Sequence, residues 1–149
     1  MTDTYALAGK TAIVTGGGKG LGKTLAQFLL EAGMNVAICG RTETAVMQTI
    51  EQFDALFPGN VIGQVCDVSK SADVASFVRK VKDTFGELHV LINNSGFGKE
   101  TLIWETSEKA WDEVMDTNVK GTFLMCKEVV PHMINTRKAT LSISLLRRH

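Results

Sequence analysis

The chain is poor in the residues that would mark several classes of protein. Its 3 cysteines, Cys39, Cys66 and Cys126, show no C-x-x-C spacing, and two fall in apolar runs, so reduced core thiols of a cytoplasmic protein are expected. The 3 histidines, His89, His132 and His149, are too scattered for a proton relay, and no metal site is predicted. Basic and acidic residues number 16 each and the formal net charge is zero, which removes the electrostatic case for nucleic acid or an anionic membrane as partner. No apolar run approaches membrane-spanning length. Residues 1–9 lack the basic start and apolar centre of a secretory signal. There is one tyrosine, Tyr5, and residue 9 is not a lysine.

What the chain does have is a regular alternation of short apolar runs and longer helical patterns. "TAIVTG" (11–16) reads as a buried strand running into glycines. The next helix places Leu21, Leu25, Phe28, Leu29 and Ala32 on one face, and Gly33 closes it. "NVAICG" (35–40) is a second strand, followed by a stripe of Val46, Ile50, Phe53 and Phe57 that Pro58-Gly59 stops. "VIGQVCD" (61–67) is a third, with Ser69 expected as N-cap of a helix carrying Val74, Phe77, Val78, Val81 and Phe85. "LHVLINN" (88–94) is a fourth and leads into a loop. Helices follow over 107–117 and 118–134, and the alternation of Leu141, Ile143 and Leu145 predicts a short fifth strand. Strands separated by helices of this length require β-α-β crossovers. The expected fold is a Rossmann-like, doubly wound parallel sheet of about five strands in three α/β/α layers, with residues 1–149 forming one domain.

The stretch "TGGGKGLGKT" (15–24) fits two phosphate-binding patterns. From Thr15 it is a dinucleotide-binding glycine loop. From Gly17 it is G-x-x-x-x-G-K-T, the P-loop of nucleotide hydrolases, with Lys23 and Thr24 at the phosphates and magnesium. Both use a helix N-terminus to hold phosphate, so the local context does not separate them. The P-loop reading further needs a switch element and a base-recognition motif, and neither is recognisable.

Four elements in order favour the dinucleotide reading and leave a P-loop nucleotide hydrolase as the remote alternative. They are Thr15, Gly16, Gly20 and Gly22 in the glycine loop, Asp67-Val68 after the third strand, Asn93-Asn94-Ser95-Gly96 after the fourth, and "WDEVMDTNVKG" ending near Asn118. Together they resemble the N-terminal part of a short-chain dehydrogenase/reductase over residues 7 to 134, with Ser95 replacing the family's alanine. The resemblance implies a dinucleotide cofactor held by Gly16, Gly18, Lys19, Gly20, Leu21 and Gly22. It places Asp67 and Val68 at the adenine, and Asn94, Ser95 and Gly96 at the nicotinamide side. A dinucleotide site for NAD carries an acid at the end of the second strand. Here that position reads "CGRTE", with Arg41, and Lys19 stands where a second cation reaches the same ribose, which favours NADP(H) over NAD(H).

The resemblance also implies hydride transfer between nicotinamide and an alcohol or carbonyl substrate, with a Tyr-x-x-x-Lys pair, a Ser and an Asn. Asn118 matches the Asn, and Ser144 (or Ser142) lies near the expected Ser. The Tyr-x-x-x-Lys pair belongs in a helix after the fifth strand, and the sequence contains no such pair. The closing "RKATLSISLLRRH" departs from the family pattern. The expectation is therefore a truncated, inactive cofactor-binding portion. The alternatives are a non-enzymatic nucleotide-binding remnant or a regulatory partner of a longer relative. The usual dimer helix pair, whose first member spans 119–134, is expected to be incomplete. Phe97 and Trp104 are expected to pack the loop 97–106 onto the sheet, with a substrate pocket as their other role.

Overall fold

The computed structural model describes residues 6–135 and 141–144. Five strands, β1 (Thr11–Thr15), β2 (Asn35–Gly40), β3 (Val61–Val65), β4 (Val90–Asn93) and β5 (Leu141–Ser144), form one parallel sheet in the order β3-β2-β1-β4-β5. All five residues of β1 are buried. A parallel strand covered on both faces has no solvent side, which is why these segments read as continuous apolar runs. Residue alternation divides them between two cores. Ala12, Val14, Val36, Ile38 and Ile92 face helices α1 (Gly20–Glu31) and α2 (Glu43–Leu56), while Ile13, Ala37 and Leu91 face α3 (Ser71–Phe85) and α5 (Gly121–Asn135).

The second core is filled by Phe77, Val78, Val81, Met125, Val129 and Met133. Each fully buried aliphatic or aromatic side chain contributes roughly 1.5–3 kcal/mol. The ion pairs Lys99–Glu113 and Lys120–Asp116 are solvent-exposed and screened, so the two cores dominate. His89 is structural, as its isolation in the sequence suggests. It is buried, its ring Nδ1 accepts from the Thr11 N–H at 3.0 Å, and its backbone N–H donates to the Thr11 carbonyl at 3.0 Å.

Three local expectations are corrected. In α1 the buried residues are Gly22, Ala26 and Leu30, while Leu21 is exposed and Phe28 is 64% exposed. The helix lies so close to the sheet that small residues face it. A Cβ on Gly22 would sit 2.2 Å from the Gly16 carbonyl oxygen. Ser69 does not cap α3, which begins at Ser71; its N–H and hydroxyl instead donate to Asp67 Oδ1 at 3.0 and 2.7 Å. The two helices expected over 107–134 are α4 (Glu108–Met115), capped by the Ser107 hydroxyl, and α5, joined without a break by a π-helical turn at Asp116–Lys120.

Candidate cofactor site

The strand order reverses between β1 and β4, so the chain leaves these neighbours in opposite directions and opens a cleft at their C-terminal ends. Gly16 leaves β1 with φ 66°, a conformation that glycine adopts without a Cβ penalty. The loop is then held from two sides. Thr49 of α2 donates its hydroxyl to the Gly18 carbonyl at 2.9 Å, and a Cβ on Gly18 would press on the backbone of Ala45 and Val46. Asn94 Nδ2 donates to the carbonyls of Thr15 and Gly16 at 3.0 and 3.3 Å.

Helix α1 opens from Lys19 with no side-chain cap and no acid in its first turn. Its leading N–H groups are thus left to an external acceptor, at the positive end of the helix dipole. Gly20, Leu21 and Gly22 form that first turn.

Of the residues singled out in the sequence, Gly16, Gly18, Lys19, Arg41, Val68, Asn94, Ser95 and Gly96 line the cleft together. Gly20, Leu21, Gly22 and Asp67 are not among the lining residues. No carboxylate stands among the described lining residues, whereas two cations, Lys19 and Arg41, do. A glycine cradle, an uncapped helix start and two cations fit the phosphates of a dinucleotide. Burial pushes the Asp67 carboxyl up, but the hydroxyl and N–H of Ser69 and the charges of Arg41 and Lys70 outweigh it, and its pKa falls below the ordinary value. Asp67 is therefore ionised and holds the turn after β3.

The P-loop residues have other partners. Lys23 donates to Gln52 of α2 and lies over the Phe53 ring, and the Thr24 hydroxyl donates to the Gly20 carbonyl. Neither lines the cleft. Asn118, in the π-helical turn, spends both ends of its amide on one backbone unit: Oδ1 accepts from the Phe97 N–H at 3.0 Å and Nδ2 donates to the Phe97 carbonyl at 2.9 Å. The register sets Ser144 opposite Asn93 and Ser142 opposite Leu91 at the β4–β5 pairing, and Tyr5 lies outside the described residues. Trp104 is 77% exposed, which corrects its expected packing on the sheet, while Phe97 is half-buried and lines the cleft.

Several contributions escaped the sequence reading. The Thr15 hydroxyl accepts from the N–H groups of Asn94 and Ser95 at 3.0 and 2.9 Å, tying β1 to the run after β4. A threonine closing a strand ahead of a glycine loop was the available signal. Gly121 lets α5 approach the turn after β3, since a Cβ there would lie 2.6 Å from a Val68 methyl. Thr117 and Phe97 join the lining, and the Arg41 guanidinium lies 5.4 Å from the Phe97 ring centroid. No motif marks these contacts, because their partners are distant in the chain.

Comparison with known proteins agrees with this geometry. The short chain dehydrogenase pattern matches residues 10–142. The chain is 34% identical over 134 residues to the 3-oxoacyl-[acyl-carrier-protein] reductase FabG of Staphylococcus epidermidis, covering 89% of this chain and 54% of that protein. It is 31% identical over 129 residues to an uncharacterized oxidoreductase of Staphylococcus saprophyticus, covering 87% and 55%. Among solved structures, a short chain dehydrogenase/reductase from Burkholderia phymatum in complex with NAD superposes with a TM-score of 0.89 at 30% identity, covering 93% of this chain and 49% of that one. The chain thus spans about half the length of the curated relatives it matches.

Proposed function

Because the chain belongs to the short-chain dehydrogenase family, we propose that it is the NADP(H)-binding portion of an oxidoreductase acting on an alcohol or carbonyl substrate. The observation that carries the cofactor choice is the pairing of Lys19 and Arg41 in a cleft whose described lining holds no carboxylate. A guanidinium and an ammonium at the adenosine ribose favour a 2′-phosphate, where an NAD site would offer an acid to the ribose hydroxyls. The relative solved with NAD shares the fold, and the difference is expected at these two side chains.

The bound nicotinamide would accept or supply hydride; the protein's part is to bind and orient it. The α1 N-terminus and the glycine loop would hold the pyrophosphate. Asp67 would accept from the adenine amino group beside Val68. Asn94, Ser95 and Gly96 would sit under the nicotinamide-side ribose, fixed by Thr15 and Asn118. Ser144, opposite Asn93, would stand near the reacting carbon.

The sequence contains no Tyr-x-x-x-Lys pair, so within these residues no group serves as the proton donor the family reaction requires. We expect this 149-residue polypeptide to bind NADP(H) weakly and to turn over nothing measurable. The proposal includes a cytoplasmic location, in keeping with the free thiols of Cys39, Cys66 and Cys126, and a dimer helix pair of which residues 119–134 supply only the first member. Among the described residues no helix is long and apolar enough to cross a membrane.

Equilibrium titration tests the cofactor assignment. NADPH is expected to bind more tightly than NADH, and Arg41→Ala to weaken NADPH about 10-fold or more, the scale of one lost charged hydrogen bond, while leaving NADH unchanged. Tighter binding of NADH by the unaltered chain would refute it. Sustained NADPH-dependent carbonyl reduction would refute the expected inactivity.

A further inference from the structure

Arg41 and Phe97 meet at the cleft from opposite sides of β1. Arg41 follows β2, Phe97 follows β4, and β1 separates those strands in the sheet. The guanidinium carbon lies 5.4 Å from the ring centroid, within the range of a cation–π contact. Phe97 is a fixed platform, because Asn118 bonds both its N–H and its carbonyl. Arg41 is an exposed side chain, and among the described residues its guanidinium makes no hydrogen bond and no ion pair. Two carboxylates feel the Arg41 charge without pairing with it: Glu113 is engaged by Lys99 at 2.5 Å, and Asp67 Oδ1 accepts from the N–H and hydroxyl of Ser69.

An arginine held against an aromatic ring uses its π system for that contact and keeps its in-plane N–H donors, which are the groups that fork onto phosphate oxygens. An exposed arginine without such a platform samples many rotamers, and ordering it on binding opposes affinity.

We propose that Phe97 is a positioning residue for cofactor specificity, holding the Arg41 guanidinium at the cleft so that its N–H edge receives the 2′-phosphate. This rests on the NADP(H) reading of the same site. Selectivity for the phosphate is then shared between the β2 tip and the loop after β4, and Phe97 contributes to it without touching the phosphate.

The test uses the full chain and four ligands: NADPH, NADH, adenosine 2′,5′-bisphosphate and adenosine 5′-monophosphate. Phe97→Leu is expected to weaken NADPH and the bisphosphate about two- to five-fold, as a surface cation–π contact allows, and to leave NADH and the monophosphate unchanged. Phe97→Tyr, which keeps the ring, is expected to retain wild-type values. In an Arg41→Ala background, Phe97→Leu should have no further effect on any of the four. Equal weakening of all four ligands would assign Phe97 a merely structural role and overturn the proposal. So would unchanged or tighter binding of the bisphosphate by Phe97→Leu. If Arg41→Ala weakens NADPH while Phe97→Leu does not, the cofactor reading stands and the positioning role fails. If the unaltered chain shows no preference for a 2′-phosphate, both fail.

Discussion

The Thr15 hydroxyl, 1% exposed at the end of β1, accepts from two successive backbone N–H groups of the neighbouring β4 loop. Thr15→Val keeps the shape and removes the acceptor. The Asn94 N–H retains the Ile92 carbonyl at 3.1 Å, but the Ser95 N–H loses the Thr15 oxygen. The expected loss is about 1–3 kcal/mol, seen as a lower urea midpoint at unchanged slope, with Thr15→Ser close to wild type. At this scale the sequence was legible where chemistry is local. Gly16, with its positive φ, and the uncapped start of α1 follow from a short glycine-rich stretch. The contact between Arg41 and Phe97 was not legible, since two strands and the crossovers between them bring the pair together.

The π-helical turn at Asp116–Lys120 holds Asn118 against the Phe97 backbone, and π turns, mostly single-turn bulges within α-helices, are frequent at functional sites. Asn118→Ala removes both bonds and leaves a half-buried amide and carbonyl without their partner. A loss of about 1–3 kcal/mol is expected. Hydrogen exchange should accelerate at the Phe97 amide while β1 amides keep their rank among the slowest, a pattern that separates loop release from general destabilisation. The residue pattern predicts helices over 107–117 and 118–134, and helix forms in both. One additional residue in a turn does not alter that pattern visibly, so the π geometry escaped it. The face of α1 was misread for a related reason. Counting large apolar residues turns Leu21 and Phe28 inward, whereas the buried residues are Gly22, Ala26 and Leu30, and a Cβ on Gly22 would already meet the Gly16 carbonyl.

Among the described residues stability rests on two apolar cores, and the carboxylates whose titration is shifted on the acid side are Asp67 and Glu113. The folded pKa of Asp67 is depressed, chiefly because Ser69 and nearby cations outweigh the opposing effect of burial. Its contribution is therefore fully present above the ordinary carboxylate range near about pH 4 and is lost as pH falls through the lower folded value. Asp67→Asn is expected to lower the urea midpoint at neutral pH and to make the acid limb shallower. A limb of unchanged steepness would show that other carboxylates govern it. Glu113 is also lowered, by its bond to Lys99 first, but solvent surrounds that pair and screens it.

By itself the sequence determined the alternation of strands and helices, hence the parallel sheet, because fully buried strands must be apolar along their length and crossovers must be helical. It also determined the glycine loop and the cations of Lys19 and Arg41, whose chemistry lies in their own side chains and immediate neighbours. Only the tertiary structure decided which of these residues share one cleft, that Lys23 and Thr24 turn to α2 and α1 instead, and that Asn118 acts on the Phe97 backbone. Those outcomes depend on strand order and on the distance between helix and sheet, and both are settled by packing of residues far apart in the chain.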